Sequence, residues 1–95
     1  MQVKVIKVPS GEVPQWVRKE WMGLTLQAIG EPDSCQEMGI VNLEDIPQRQ
    51  HVHVPAGAAF EVLAQKSPGA AAWFRRHVPP DVNINFGLDE VEILP

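Results

Sequence analysis

The sequence predicts a small α+β domain in which a pair of helices precedes the last two strands. Five segments alternate apolar and polar residues with the two-residue period of a β-strand. Two consecutive segments in the second half of the chain carry apolar residues at helical spacing. The nine prolines and seven glycines are spread along the chain, which is typical of domains with many short elements. We therefore expect the order ββββααββ, with a mainly antiparallel sheet that is curved or closes into a partly open barrel.

The predicted strands occupy both halves of the chain. They cover residues 2–8, 21–29, 38–43, 50–54, 82–86 and 90–94. Gly23 lies inside the second strand and predicts either a bulge or a close neighbour over its surface, and the turn-forming residues 30–34 end that strand. The short loop between the last two strands favours a hairpin, in which residues 82–86 and 90–94 pair through a shared apolar face. Because an unpaired sheet edge promotes aggregation, we expect this hairpin to lie near the first strand.

The two predicted helices follow each other directly. Residues 57–65 carry alanine, phenylalanine and leucine at helical spacing. Ser67 is a favourable N-cap and Pro68 suits the first helical position, so a second helix begins here. This helix has an aromatic side, on which we expect Trp73 to be buried, and it ends before Pro79.

Residues 13–20 are ambiguous. Pro14 fits the first turn of a short helix that carries Trp16 and Val17 inward. Three charged residues stand between Trp16 and Trp21 within this part of the chain, which makes it difficult to bury both rings. One interpretation places the tryptophans in the core, where small domains gain buried area from aromatic residues. The other leaves a tryptophan exposed beside the charges, which suits contact with a peptide or a second subunit.

Composition restricts the class of protein. The 95 residues suffice for one hydrophobic core, so we expect a single domain over residues 1–95. Eight Lys and Arg residues against twelve Asp and Glu residues give a formal net charge of −4, which argues against a nucleic-acid-binding protein. The single cysteine, Cys35, excludes an intramolecular disulfide and a four-thiolate zinc site. The sequence shows neither a membrane-spanning segment nor a signal peptide, so we expect a cytoplasmic protein without membrane contact.

His51 and His53 are the candidate metal ligands. In a strand, residues two positions apart project from the same face about 7 Å apart, which allows two imidazoles to chelate zinc, copper or nickel. Further ligands would have to come from His77, Cys35 or Glu61 after folding. The alternative is that both histidines belong to a solvent-exposed polar face, opposite the two valines of the same strand.

Residues 81–92 resemble the calcium-binding loop of the EF-hand family over twelve positions. Oxygen-bearing residues occupy the positions that bind calcium in that loop: Asp81, Asn83, Asn85, Asp89 and Glu92. The sixth position requires glycine for a sharp turn, and here it is Phe86. The same residues alternate with the period of a strand, so we expect a β-hairpin with polar residues on its solvent face.

The sequence favours a non-enzymatic protein-interaction or regulatory module. It contains none of the local motifs that bind nucleotide phosphates, build a nucleophile elbow or hold a protease zinc ion, and it leaves enzymatic activity undecided. The partner would be another protein or a second copy of the chain. The expected binding residues are Trp16, Arg18, Lys19 and Trp21. A structural subunit without chemistry fits the composition equally well. The alternative is a small metal-binding protein or metal-dependent enzyme that holds zinc through His51 and His53.

Overall fold

The computed structural model of the chain describes residues 1–9, 13–33, 40–42 and 50–95. Within this part, seven strands and three α-helices follow one another, and this confirms the α+β class. The elements are β1 (Gln2–Val5), α1 (Gln15–Arg18), β2 (Thr25–Gln27), β3 (Ile29–Asp33), β4 (Ile40–Asn42), β5 (His51–Pro55), α2 (Ala56–Lys66), α3 (Pro68–His77), β6 (Asn83–Gly87) and β7 (Val91–Ile93). Two 3₁₀ turns, Lys19–Trp21 and Leu88–Glu90, follow α1 and precede β7.

The strands form two sheets. One has the order β2-β1-β7 and is antiparallel throughout. The other has the order β3-β5-β6-β4 and is antiparallel except for the parallel pair of β4 and β6. The expected mainly antiparallel architecture is therefore confirmed, with the strands divided between two sheets. The N-cap of α3 is also as expected, since the Ser67 hydroxyl accepts a hydrogen bond from the backbone N–H of Ala70 at 3.3 Å.

The last two strands do not form the expected hairpin. β6 pairs with β5 in one sheet, whereas β7 pairs with β1 in the other. Gly87 has a φ of −60° and lies in extended backbone, so it does not provide the positive φ of a two-residue hairpin turn. The 3₁₀ turn that follows redirects the chain, and its Glu90 carboxylate accepts a hydrogen bond from the N–H of Gly87 at 3.0 Å. The proximity of the C-terminal strand to the first strand is confirmed.

Residues 21–33 differ in detail from the expected strand and turn. The strand begins only at Thr25, because Trp21 ends a 3₁₀ turn and Gly23 lies in a turn with a φ of +81°. The expected bulge at Gly23 is therefore wrong. Residues 30–33, which the sequence predicted as part of a turn, belong instead to strand β3. The pairing of β3 with β5 is irregular between Ile29 and Asp33. Gly30 supplies the positive φ of +67° within this irregular part of the strand.

Aromatic rings fill the centre of the core. Trp21 contacts Phe74 and Phe86 edge to face, with ring centroids 5.3 Å apart in both pairs. Phe60 of α2 stacks on Phe74 of α3 at 5.5 Å. Trp73 is only half-buried, so its expected burial is partial. The core therefore joins the 3₁₀ turn after α1 to both long helices and to β6, and this packing fixes α1 at the surface.

Candidate functional site

Trp16 has the most exposed large apolar side chain among the residues that the structure describes. α1 begins after Pro14, whose carbonyl accepts the N–H groups of Val17 and Arg18, both at 3.0 Å. Trp16 and Val17 are neighbours on this one-turn helix and therefore project from different sides of it. Val17 is buried, whereas 50% of the Trp16 side chain is exposed. The expectation that both residues point inward is correct for Val17 and wrong for Trp16.

Arg18 holds the chain around Trp16 in place. Its Nε atom donates a hydrogen bond to the carbonyl of Val13 at 2.5 Å, and its Nη1 atom donates to the carbonyl of Pro9 at 2.8 Å. These bonds tie the segment that leaves β1 to α1. Arg18 is half-buried, and its guanidinium donates to the backbone. Its role here is therefore to position the chain around Trp16.

Three more exposed apolar side chains, those of Ile6, Val8 and Met22, lie on segments that hydrogen bonds connect to each other or to α1. The N–H of Gly23 donates to the carbonyl of Val5 at 2.9 Å, which places Met22 beside the end of β1. Val8 precedes the proline that Arg18 binds. We call residues 6–9, 13–22 and Lys66 the Trp16 end.

The Trp16 end also carries three lysine residues. Lys7 and Lys19 are exposed. Lys66 extends from the last turn of α2, donates a hydrogen bond to the carbonyl of Met22 at 2.7 Å and lies 4.0 Å from the Glu20 carboxylate. The Trp16 end thus combines apolar side chains with cations, a pattern typical of the rim and centre of a protein interface.

Trp21 does not belong to this surface. Its side chain is completely buried between Phe74 and Phe86. Its indole N–H has no hydrogen-bond acceptor among the described residues. A partner that binds the folded chain has no access to this ring. Of the four expected binding residues, Trp16 and Lys19 therefore remain at the surface, with Arg18 beneath them.

His51 and His53 lie in the interior and not on a solvent-exposed face. Only 1% of His51 and 8% of His53 are exposed, so β5 is buried on both faces and the expected polar outer face is wrong. His53 Nδ1 lies 2.6 Å from Oδ1 of Asn85 on the neighbouring strand β6. Since an amide oxygen only accepts hydrogen bonds, Nδ1 is the ring nitrogen that carries the proton in this pair.

The other proposed metal ligands do not join the two histidines. No group of three or more His, Cys, Asp or Glu side chains able to hold a metal occurs in the part of the chain that the structure describes. His77 is exposed at the end of α3, where its ring stacks on Trp73 with centroids 4.2 Å apart and its Nδ1 lies 2.7 Å from the carbonyl of Trp73. Glu61 is exposed on α2, and Cys35 lies outside the described residues.

Residues 81–92 form strand and turn structure, as the alternation of the sequence predicts. Asn85 is buried and bonded to His53, and Glu90 is buried and bonded to Gly87. Both residues thus support the fold here, so the expected solvent-exposed polar face is wrong at these two positions. The segment does not form the helix-flanked loop that binds calcium in an EF-hand.

A small depression that the sequence did not reveal lies between α2 and the end of α3. Its volume is about 290 Å³. It is lined by Gly57, Phe60, Glu61, Arg75, Val78 and Pro80. Gly57 is the residue of the sequence that comes closest to indicating this depression. A side chain at this position would place its Cβ atom 3.4 Å from the carbonyl oxygen of Pro80. The depression is at the lower limit of size for a small-molecule site.

Comparison with known protein families, curated proteins and solved structures found no significant match. A search of the described residues for membrane-spanning helices found none of sufficient length and hydropathy. The function is therefore inferred from the geometry of the molecule.

Proposed function

We propose that this chain is a non-enzymatic protein-interaction module that binds its partner through the Trp16 end. The observation that carries the proposal is the exposed indole of Trp16, next to a residue that is buried and on a segment that Arg18 connects to the carbonyls of Val13 and Pro9. Tryptophan is enriched among the residues that contribute most to binding energy at interfaces. A rigid aromatic side chain also loses little conformational entropy when a partner covers it.

The distribution of exposed apolar side chains supports this assignment. Six large apolar side chains are exposed in the described part of the chain, and four of them belong to the Trp16 end. They are Ile6, Val8, Trp16 and Met22. Monomeric soluble proteins rarely expose a concentrated apolar patch with a polar rim unless it binds something.

The metal-binding alternative has less support. Both candidate histidines are buried, and His53 is engaged with Asn85. No third His, Cys, Asp or Glu side chain completes a metal site with them among the described residues. The depression between α2 and α3 has exposed side chains of opposite charge at its rim, those of Glu61 and Arg75, and it offers no group arranged for catalysis.

The proposal is tested by photo-cross-linking from the surface. A benzophenone amino acid replaces Trp16 in one variant and Ile29 in a control variant, in cells that produce the chain naturally. Ile29 is similarly exposed and lies beyond the opposite end of β1, because Gln27 pairs with Gln2. We expect a discrete adduct from position 16 and none from position 29. Equal adducts from both positions, or none from either, would contradict the proposal.

A further inference from the structure

The charges of the chain are distributed unevenly. The Trp16 end contains four cations against one carboxylate, although the whole chain has a net charge of −4. The other residues that the structure describes contain three cations against seven carboxylates. The four cations are Lys7, Arg18, Lys19 and Lys66. Within the described part of the chain, the Trp16 end therefore combines exposed apolar side chains with an excess of cations.

Two of these cations are available to a partner. Arg18 is occupied by two backbone carbonyls, and Lys66 binds a carbonyl and lies near Glu20. Lys7 and Lys19 are exposed and form no ion pair with any described residue. Lys19 follows Trp16 by three residues, so the two side chains lie on the same side of the chain in the continuous helical turn.

We propose that the segment bound at the Trp16 end is an acidic peptide segment that carries large apolar residues; this inference rests on the proposed function of that surface. The apolar residues of the partner cover Trp16 and its exposed neighbours. Its carboxylates lie near Lys7 and Lys19, where complementary charge accelerates encounter and selects against basic segments. A short segment interacts mainly with these nearby cations, because charges beyond about 8–10 Å are screened at physiological salt.

The same charges disfavour two other occupants. A nucleic acid extends beyond the Trp16 end and meets the other described residues, whose carboxylates outnumber their cations and repel a polyanion. A second copy bound symmetrically through the same surface brings two positively charged ends together. Both occupants remain distinguishable outcomes of the experiment.

The inference is tested by selecting from a random peptide library displayed on phage against the purified chain. Parallel selections use Trp16→Ala and the charge-reversed double variant Lys7→Glu/Lys19→Glu. The matched control is Lys7→Arg/Lys19→Arg, which keeps the charge. We expect Trp16-dependent peptides to be rich in Asp and Glu together with Leu, Ile, Phe or Trp. Their affinity should fall about tenfold or more on charge reversal and remain nearly unchanged in the arginine control.

Four other results would overturn the inference, and each can be distinguished from the rest. Trp16-dependent peptides that are neutral or basic would contradict the acidic partner and leave the proposed function standing. A complete lack of Trp16-dependent peptides would count against both. Competition by a mixed-sequence single-stranded DNA that requires Trp16 would identify a nucleic acid instead. Self-association in the analytical ultracentrifuge that disappears in Trp16→Ala would identify a second copy of the chain.

Discussion

His53 Nδ1 and Asn85 Oδ1 are 2.6 Å apart on adjacent strands, inside the sheet that the sequence predicted to expose its histidines. The two residues face each other directly in the antiparallel register of β5 and β6. Such a buried polar pair specifies the pairing of the two strands, since a shift by one residue would place an amide or imidazole on the opposite, apolar side.

The His53–Asn85 pair is expected to contribute to stability through coupling between the two side chains. Asn85→Ala should lower the free energy of unfolding by about 1–3 kcal/mol, because it removes the acceptor of a buried ring N–H. A double-mutant cycle with His53→Ala in urea should give a coupling energy of at least about 0.5 kcal/mol. Strictly additive effects would show that the hydrogen bond contributes nothing.

Trp21 and Trp16 should differ strongly in their contribution to stability. Trp21→Ala leaves a cavity between Phe74 and Phe86 and should cost about 3–5 kcal/mol. Trp16→Ala removes an exposed ring and should change stability by no more than about 0.5 kcal/mol. Chemical denaturation of the two variants measures both values, and a large loss in Trp16→Ala would mean that this ring is part of the core.

Arg18 should keep the Trp16 end rigid. Arg18→Met keeps an unbranched side chain with an apolar stem but removes the donors to the carbonyls of Pro9 and Val13. We expect the variant to remain folded while the amides of residues 6–8, 13 and 15–18 exchange faster with solvent. Hydrogen exchange measured by mass spectrometry tests this, with the amides of α3 as an internal reference. Unchanged exchange near Trp16 would contradict the role of Arg18.

The N-cap of α3 offers an independent test of the helical pair. Ser67→Ala removes the acceptor of the Ala70 N–H and should lower stability by about 1 kcal/mol. Ser67→Asp restores an acceptor and should retain most of the stability. Thermal unfolding of both variants decides the matter, and equal melting temperatures for alanine and aspartate would show that the cap is not formed.

Local signals predicted the long helices and most strands well. Ser67 is a favourable N-cap and Pro68 suits the first helical position, so these two residues indicate where α3 begins. The alternation of residues 50–54 and 82–86 indicates β5 and β6. These features depend on neighbours in the sequence, so composition and period are sufficient to recognise them.

The errors concern features that only tertiary packing decides. The alternation in β5 indicates two different faces, but it does not show that both are covered, so His51 and His53 were expected at the surface. α1 spans one turn, which is too short for a helical period to distinguish Trp16 from Val17. The separation of β6 from β7 depends on a 3₁₀ turn whose closing bond comes from the Glu90 side chain.

The most direct test of the interaction surface uses the partner obtained by cross-linking from position 16. Its dissociation constant is measured by isothermal titration calorimetry with the original chain, with Trp16→Ala and with Ile29→Ala. We predict that Trp16→Ala weakens binding by about thirtyfold or more, as expected for a central interface tryptophan, and that Ile29→Ala changes it by less than about twofold. Equal effects of the two substitutions, or an unchanged constant in Trp16→Ala, would contradict the assignment of the Trp16 end.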